Sequence, residues 1–97
     1  MPENLGSSPN ETNDLEESPS EAMAEMVEFI AKAIASNPES VKVKVEEEDR
    51  QVTLYLSVHE DDKGKVIGRN GRVAQSIRSL LRVSAVKADT RAVLEIE

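Results

Sequence analysis

The sequence predicts an α+β domain of order αββααβ, a three-stranded sheet with helices packed on one face. Three observations predict it. A capped stripe of helical period begins at Ser18, two runs of period two follow it, and a second helical stripe leads into a short alternating C-terminal run. Ninety-seven residues leave room for one small domain, which buries only roughly 60–65% of its unfolded surface, so few residues can be spared from the core.

The first helix starts in Ser18-Pro19-Ser20-Glu21, where Ser18 caps, Pro19 suits the first helical position and Glu21 completes a capping box. Met23, Met26, Val27, Ile30 and Ile34 then recur at three- and four-residue steps as the core-facing stripe, and Asn37-Pro38 stops the helix. Val41, Val43 and Val45 alternate with Lys42 and Lys44, and Val52, Leu54, Leu56 and Val58 alternate with Thr53, Tyr55 and Ser57. The short charged stretch Glu46-Glu47-Glu48-Asp49-Arg50 joins them as an antiparallel hairpin with one buried face. Tyr55 falls on the outer face and His59 in the loop beyond. Asp61 to Ile67 forms a short helical turn. From Arg72 a second long helix carries Val73, Ala74, Ile77, Leu80, Leu81 and Ser84 on its apolar side, and Ala92, Leu94 and Ile96 alternate as the third strand.

Before the first helix, residues 1–18 form an acidic tail of Pro, Ser, Asn and Glu with Leu5 and Leu15 as its large apolar residues beyond Met1, too few to offset the entropy of ordering. It reads as a disordered, solubilising extension; the other reading is a phosphate mimic that competes for a basic surface. The ordered domain is residues 19–97.

Composition excludes several functions. There is no cysteine and one histidine, which removes disulfide frameworks, thiol chemistry and cysteine zinc sites. Neither phosphate-loop pattern, G-x-x-x-x-G-K-[ST] or G-x-G-x-x-G, is present. The acidic pairs Glu46-Glu47 and Asp61-Asp62 read as solvated turn residues, so no enzyme and no cofactor is expected. No apolar run approaches the length of a membrane span, and the acidic start is unlike a signal peptide, which makes the cytoplasm the expected location.

The net charge of -7 is unevenly placed. Residues 1–20 carry five acids and no base, whereas residues 63–91 carry eight bases (Lys63, Lys65, Arg69, Arg72, Arg78, Arg82, Lys87 and Arg91) against Asp89 alone. Screening over about 8 Å lets the local sign decide what binds there. At the centre of that region three of the four glycines fall within Gly64-Lys65-Val66-Ile67-Gly68-Arg69-Asn70-Gly71. A Gly-x-x-Gly turn opening a helix lets backbone N–H groups approach a phosphate, and Arg69 and Arg72 beside it point to the backbone of a nucleic acid.

Val66-Ile67-Gly68-Arg69-Asn70-Gly71 resembles the V-I-G-x-x-G signature of KH domains, and the element order resembles their type II, prokaryotic form. The likeness is nearest to the KhpA (YlqC) family of small bacterial single-KH proteins and extends through Ile77-Arg78-Ser79-Leu80-Leu81, covering about residues 20–97. The resemblance implies a non-catalytic protein that binds single-stranded RNA, an RNA chaperone or post-transcriptional regulator. Gly68, Arg69, Asn70 and Gly71 would clamp the strand while bases lie in an apolar groove that needs no aromatics. In those roles Gly68 and Gly71 give backbone access, Arg69 and Arg72 contact phosphates, and Asn70 shapes the turn. Lys65, Arg78 and Arg82 are peripheral, and Ile67 and Ile77 line either the groove or the core beneath. The family pattern has a larger aliphatic residue where Ala74 stands, which implies a wider groove. It also implies a partner: a homodimer, or a heterodimer with a larger KH protein of the KhpB or Jag type. The alternative function is such an assembly module with little RNA affinity of its own.

Overall fold

The computed structural model describes residues 18–97, and the acidic tail read for 1–18 lies outside it except for Ser18. Helix α1 spans Pro19–Ile34, β1 Lys42–Glu48, β2 Gln51–Ser57, α2 Lys63–Ile67, α3 Arg72–Lys87 and β3 Arg91–Ile96. Single 3₁₀ turns occupy Pro38–Ser40, Glu60–Asp62 and Arg69–Gly71. The order is the expected αββααβ.

Both halves of the capping box form at the start of α1. Ser18 Oγ accepts from the Glu21 amide and the Ser18 amide donates to Glu21 Oε1, each at 3.3 Å. The helix buries Met23, Val27 and Ala31, with Met26 and Ile30 packed at the margin. Ile34 closes the expected stripe in the sequence but not in space. It is 38% exposed, and the buried row continues instead from Val27 to Ala31, four residues on.

The sheet has the order β1-β2-β3. β1 and β2 are antiparallel, with Val45 opposite Leu54 and Glu48 opposite Gln51. The connection is therefore shorter than the charged stretch suggested: Glu46, Glu47 and Glu48 belong to β1, and Asp49-Arg50 alone turn the chain, Arg50 at φ 63°. β3 runs parallel to β2, with Leu54 opposite Leu94. Val52, Leu54, Leu56 and Leu94 face the helices and are buried. They meet Met23, Val27, Val66, Ile77, Leu81 and Ala85 in one core. On the outer sheet face Tyr55 is half-buried and its hydroxyl donates to Glu46 Oε1 at 3.1 Å, a bond that raises the phenol pKa above its ordinary value.

Helix α3 buries Ala74, Ile77, Leu81 and Ala85. Leu80, expected on that side, is 49% exposed, while Ala85 completes the buried row four residues after Leu81. The chain then turns through Asp89 at φ 57°, and the Thr90 amide donates to Ala85 O at 2.9 Å, so that β3 returns along the helix it has just left.

Candidate nucleic-acid interface

The glycine loop lies between α2 and α3, and its two glycines differ. Gly68 sits at φ 80°, ψ 169°, a region that side chains exclude, and a Cβ there would lie 2.4 Å from Val73 Cγ2 and 2.8 Å from the Val73 amide nitrogen. Gly71 caps α3 in the left-handed conformation at φ 74°, ψ 16°, with open space where its Cβ would be. Asn70 is also left-handed at φ 56°, which Asn tolerates better than most residues.

Gly68 N–H donates to Gly64 O at 2.8 Å and Gly71 N–H donates to Gly68 O at 3.0 Å, so both close the turn. Between them, Arg69 and Asn70 are exposed. The glycines therefore shape the turn, and the two residues between them present it.

A buried carboxylate anchors the segment leading to the loop. Asp62, expected to be a solvated turn residue, is fully buried. Its carboxylate accepts from the Ser36 amide at 3.0 Å, from the Asn37 amide at 2.9 Å and from Asn37 Nδ2 at 3.2 Å, which ties the start of α2 to the end of α1. The bond from Ser36 is the main cause holding its pKa below the ordinary carboxylate range; burial opposes it, and the Asn37 groups and Lys65 assist. Glu47, from the other acidic pair, accepts from the buried Ser20 hydroxyl and is likewise part of the structure.

Lys65 is half-engaged. Its ammonium lies 3.8 Å from Asp62 and donates to Ser36 Oγ, so it points back to the α1 end. The two isoleucines left open by the sequence separate: Ile77 is core at 2% exposure, and Ile67 is 40% exposed beside Gly68. Ala74 is buried, in the first turn of α3 beyond the loop.

That cleft, of about 510 Å³, lies between the second half of α3 and β3. Leu81, Ala85, Ala92 and Leu94 form its apolar floor, and the guanidinium groups of Arg78, Arg82 and Arg91 rim it, with no carboxylate in its lining among the described residues. Arg78 donates to Leu94 O at 3.3 Å and thereby caps the open edge of the sheet. Gly71, Gln75, Arg78, Arg82 and Val86 recur at three- and four-residue steps, so one face of α3 leads from the loop to the cleft. Arg91 belongs to the basic region of residues 63–91, and the structure brings it into the lining of the cleft. Its place follows from the parallel β3, a pairing that the apolar pattern alone does not specify.

Three comparisons bear on the arrangement. The model of a family described as KhpA/KhpB, KH domain, matches residues 24–96. The chain is 42% identical over 74 residues to the RNA-binding protein KhpA of Caldanaerobacter subterraneus, covering 76% of this chain and 99% of that one. It is 43% identical over 72 residues to the protein of the same name from Borreliella burgdorferi, covering 74% and 88%. Among solved structures it resembles Era of Aquifex aeolicus bound to GDP and aluminium fluoride, with TM-score 0.54 and 23% identity over 77% of this chain. It resembles equally an Era complex with nucleotides 1506–1542 of 16S ribosomal RNA, with TM-score 0.54 and 23% identity over 76% of this chain. The chain spans less than a third of either Era chain, a likeness of fold; the family model identifies the αββααβ unit as a KH domain.

Proposed function

The chain belongs to the KhpA/KhpB KH-domain family, and from that premise we propose that it is a non-catalytic protein binding single-stranded RNA across the Arg69-Asn70 turn and the α3–β3 cleft. The observation that carries this reading is the exposed turn at the head of a basic helix face. The Arg69-Asn70 backbone, the Arg69 guanidinium and the start of α3 at Arg72 are consecutive there, and together they would receive one phosphate. Gly68 and Gly71 hold the turn, and Arg72 takes a second phosphate. Ile67 supports a base beside the loop, and the cleft beyond receives further bases against Leu81 and Ala92. Lys65 contributes charge at the edge, and Arg78 keeps its bond to Leu94 while turning charge toward the strand.

Few aromatic residues and a charge-dominated contact imply broad sequence tolerance and strong salt dependence, with a log–log slope of about -0.7 per phosphate contacted. Such behaviour suits an RNA chaperone or post-transcriptional regulator in the cytoplasm. The test is the double substitution Arg69→Asp with Asn70→Asp, followed by gel-shift of labelled single-stranded RNA and by thermal unfolding. Retention falls below detection while the transition moves by only a few degrees, because both side chains are exposed; undiminished binding rejects the reading.

A second reading, pairing with another KH chain, is favoured by one observation. Leu80 at 49%, Val83 at 61% and Val86 at 72% exposure recur every three residues on the solvent side of α3. A second copy, or a larger KH protein of the KhpB type, would cover this stripe and stabilise a small domain by mass action. Leu80→Glu then leaves a monomer in analytical ultracentrifugation where the unmodified chain sediments as a dimer.

A further inference from the structure

We propose that the acidic segment of residues 1–17 docks in cis on the outer end of the α3–β3 cleft and competes there with RNA, an inference that rests on the RNA-binding reading above. The segment holds Glu3, Glu11, Asp14, Glu16 and Glu17 and no Lys or Arg. It lies outside the family match, which begins at residue 24. A carboxylate and a phosphodiester are both monoanions that offer two acceptor oxygens, and a guanidinium fork pairs with either.

The surface leads from one to the other without a break. The segment joins the described chain at Ser18, on the wall of a depression that also takes in Arg50, Asp89 and Thr90. A second depression contains Arg50, Val86, Asp89 and Thr90, and Val86 and Thr90 are in turn part of the cleft. Glu47 and Glu48 line the first depression and Asp89 lies on the path, so attraction begins at Arg50 and is concentrated on Arg91, Arg82 and Arg78. Seventeen residues reach at most about 55 Å when extended. A sixteen-residue helix such as α3 is about 24 Å long. The tether therefore keeps the five carboxylates at roughly millimolar effective concentration over the cleft, enough to occupy a weak site much of the time.

The chain has no cysteine, so Asn10→Cys accepts a single nitroxide label in the full-length protein. Paramagnetic broadening of amide signals at Arg82, Val86, Thr90 and Arg91, with β1 residues Lys42–Glu46 unaffected, is the expected result. It disappears in about 0.5 M salt and on addition of excess single-stranded RNA. Neutralising the segment in the full chain (E3Q, E11Q, D14N, E16Q and E17Q together) removes the broadening and tightens RNA binding by about threefold to tenfold at low salt, a gain lost as salt rises. Uniform or absent broadening overturns the proposal. So does broadening seen only between labelled and unlabelled copies, which assigns the contact to a second chain, or broadening that RNA binds without relieving. Cleft-specific broadening in a protein that binds no RNA, neutralised or not, keeps the docking and removes the RNA-binding reading instead.

Discussion

The two ends of α3 present positive charge in different ways. At its N-terminus the charge is carried by a backbone turn whose shape depends on Gly68 packing against Val73 and on Asp62 fastening the approach. At its other end the charge is carried by three arginine side chains around an apolar floor, one of them, Arg78, held on Leu94 O. The first end depends on geometry and tolerates almost no change in shape. The second depends on summed charge and responds in proportion. Substitutions at the loop should therefore act in large steps, and substitutions at the cleft in small ones.

The sharpest break in that contrast comes from Gly68→Ala. Its Cβ meets Val73 at 2.4 Å in a backbone region reserved for glycine, which costs on the order of 3–5 kcal/mol. Thermal unfolding should fall by roughly 15 °C or more, and RNA binding should be lost at any temperature because the loop is rebuilt. A Gly68→Ala protein with a native transition would show that the packing against Val73 is soft.

Next in size is Asp62→Asn, which sets an amide donor against the Ser36 and Asn37 donors and should lower the transition by on the order of 10 °C. It carries a pH signature. Because the folded pKa of Asp62 is depressed, its contribution is complete above the ordinary aspartate value of about 4 and is lost as pH falls through the lower folded value. Denaturant titrations between about pH 5 and pH 2 should show a decline in stability that is shallower in the Asp62→Asn protein.

Gly71→Ala sharpens the comparison inside the loop itself. The added methyl group meets nothing within 4 Å, so only the left-handed backbone is penalised, by about 1–2 kcal/mol. RNA affinity should fall far less than in Gly68→Ala, as read by the same gel-shift. The smallest effects belong to the cleft. Arg82→Gln and Arg91→Gln should each weaken RNA binding by only a fewfold, nearly alike across sequences, and reduce the salt slope by about 0.7, with no change in the unfolding transition.

Most of the fold was legible because its signals are local. Ser18 and Glu21 announce the first helix, the valine and leucine alternation gives β1 and β2, and the clustered glycines mark the loop. What was not legible depends on residues distant in sequence. Asp62 reads as a solvated turn acid until Ser36 and Asn37, some 25 residues earlier, are brought to its carboxylate. Leu80 and Ile34 fit a helical stripe on spacing alone, and the positions of neighbouring elements decide that Ala85 and Ala31 are buried in their place. Arg91 joins Arg78 and Arg82 through the parallel return of β3. The turn itself was a matter of backbone dihedrals, with Gly68, Asn70 and Gly71 all at positive φ.

The parallel pairing of β2 with β3 carries a consequence for how the domain is made. Gln51 finds its ladder partner at Arg91, forty positions further along, so the central strand waits with one edge unpaired until those forty residues have followed it out of synthesis. Closing so distant a pairing is slow compared with forming a hairpin or a helix. On the ribosome β1, β2 and α1 can associate early, whereas the RNA cleft, one wall of which is β3, comes into being only with the last step of folding.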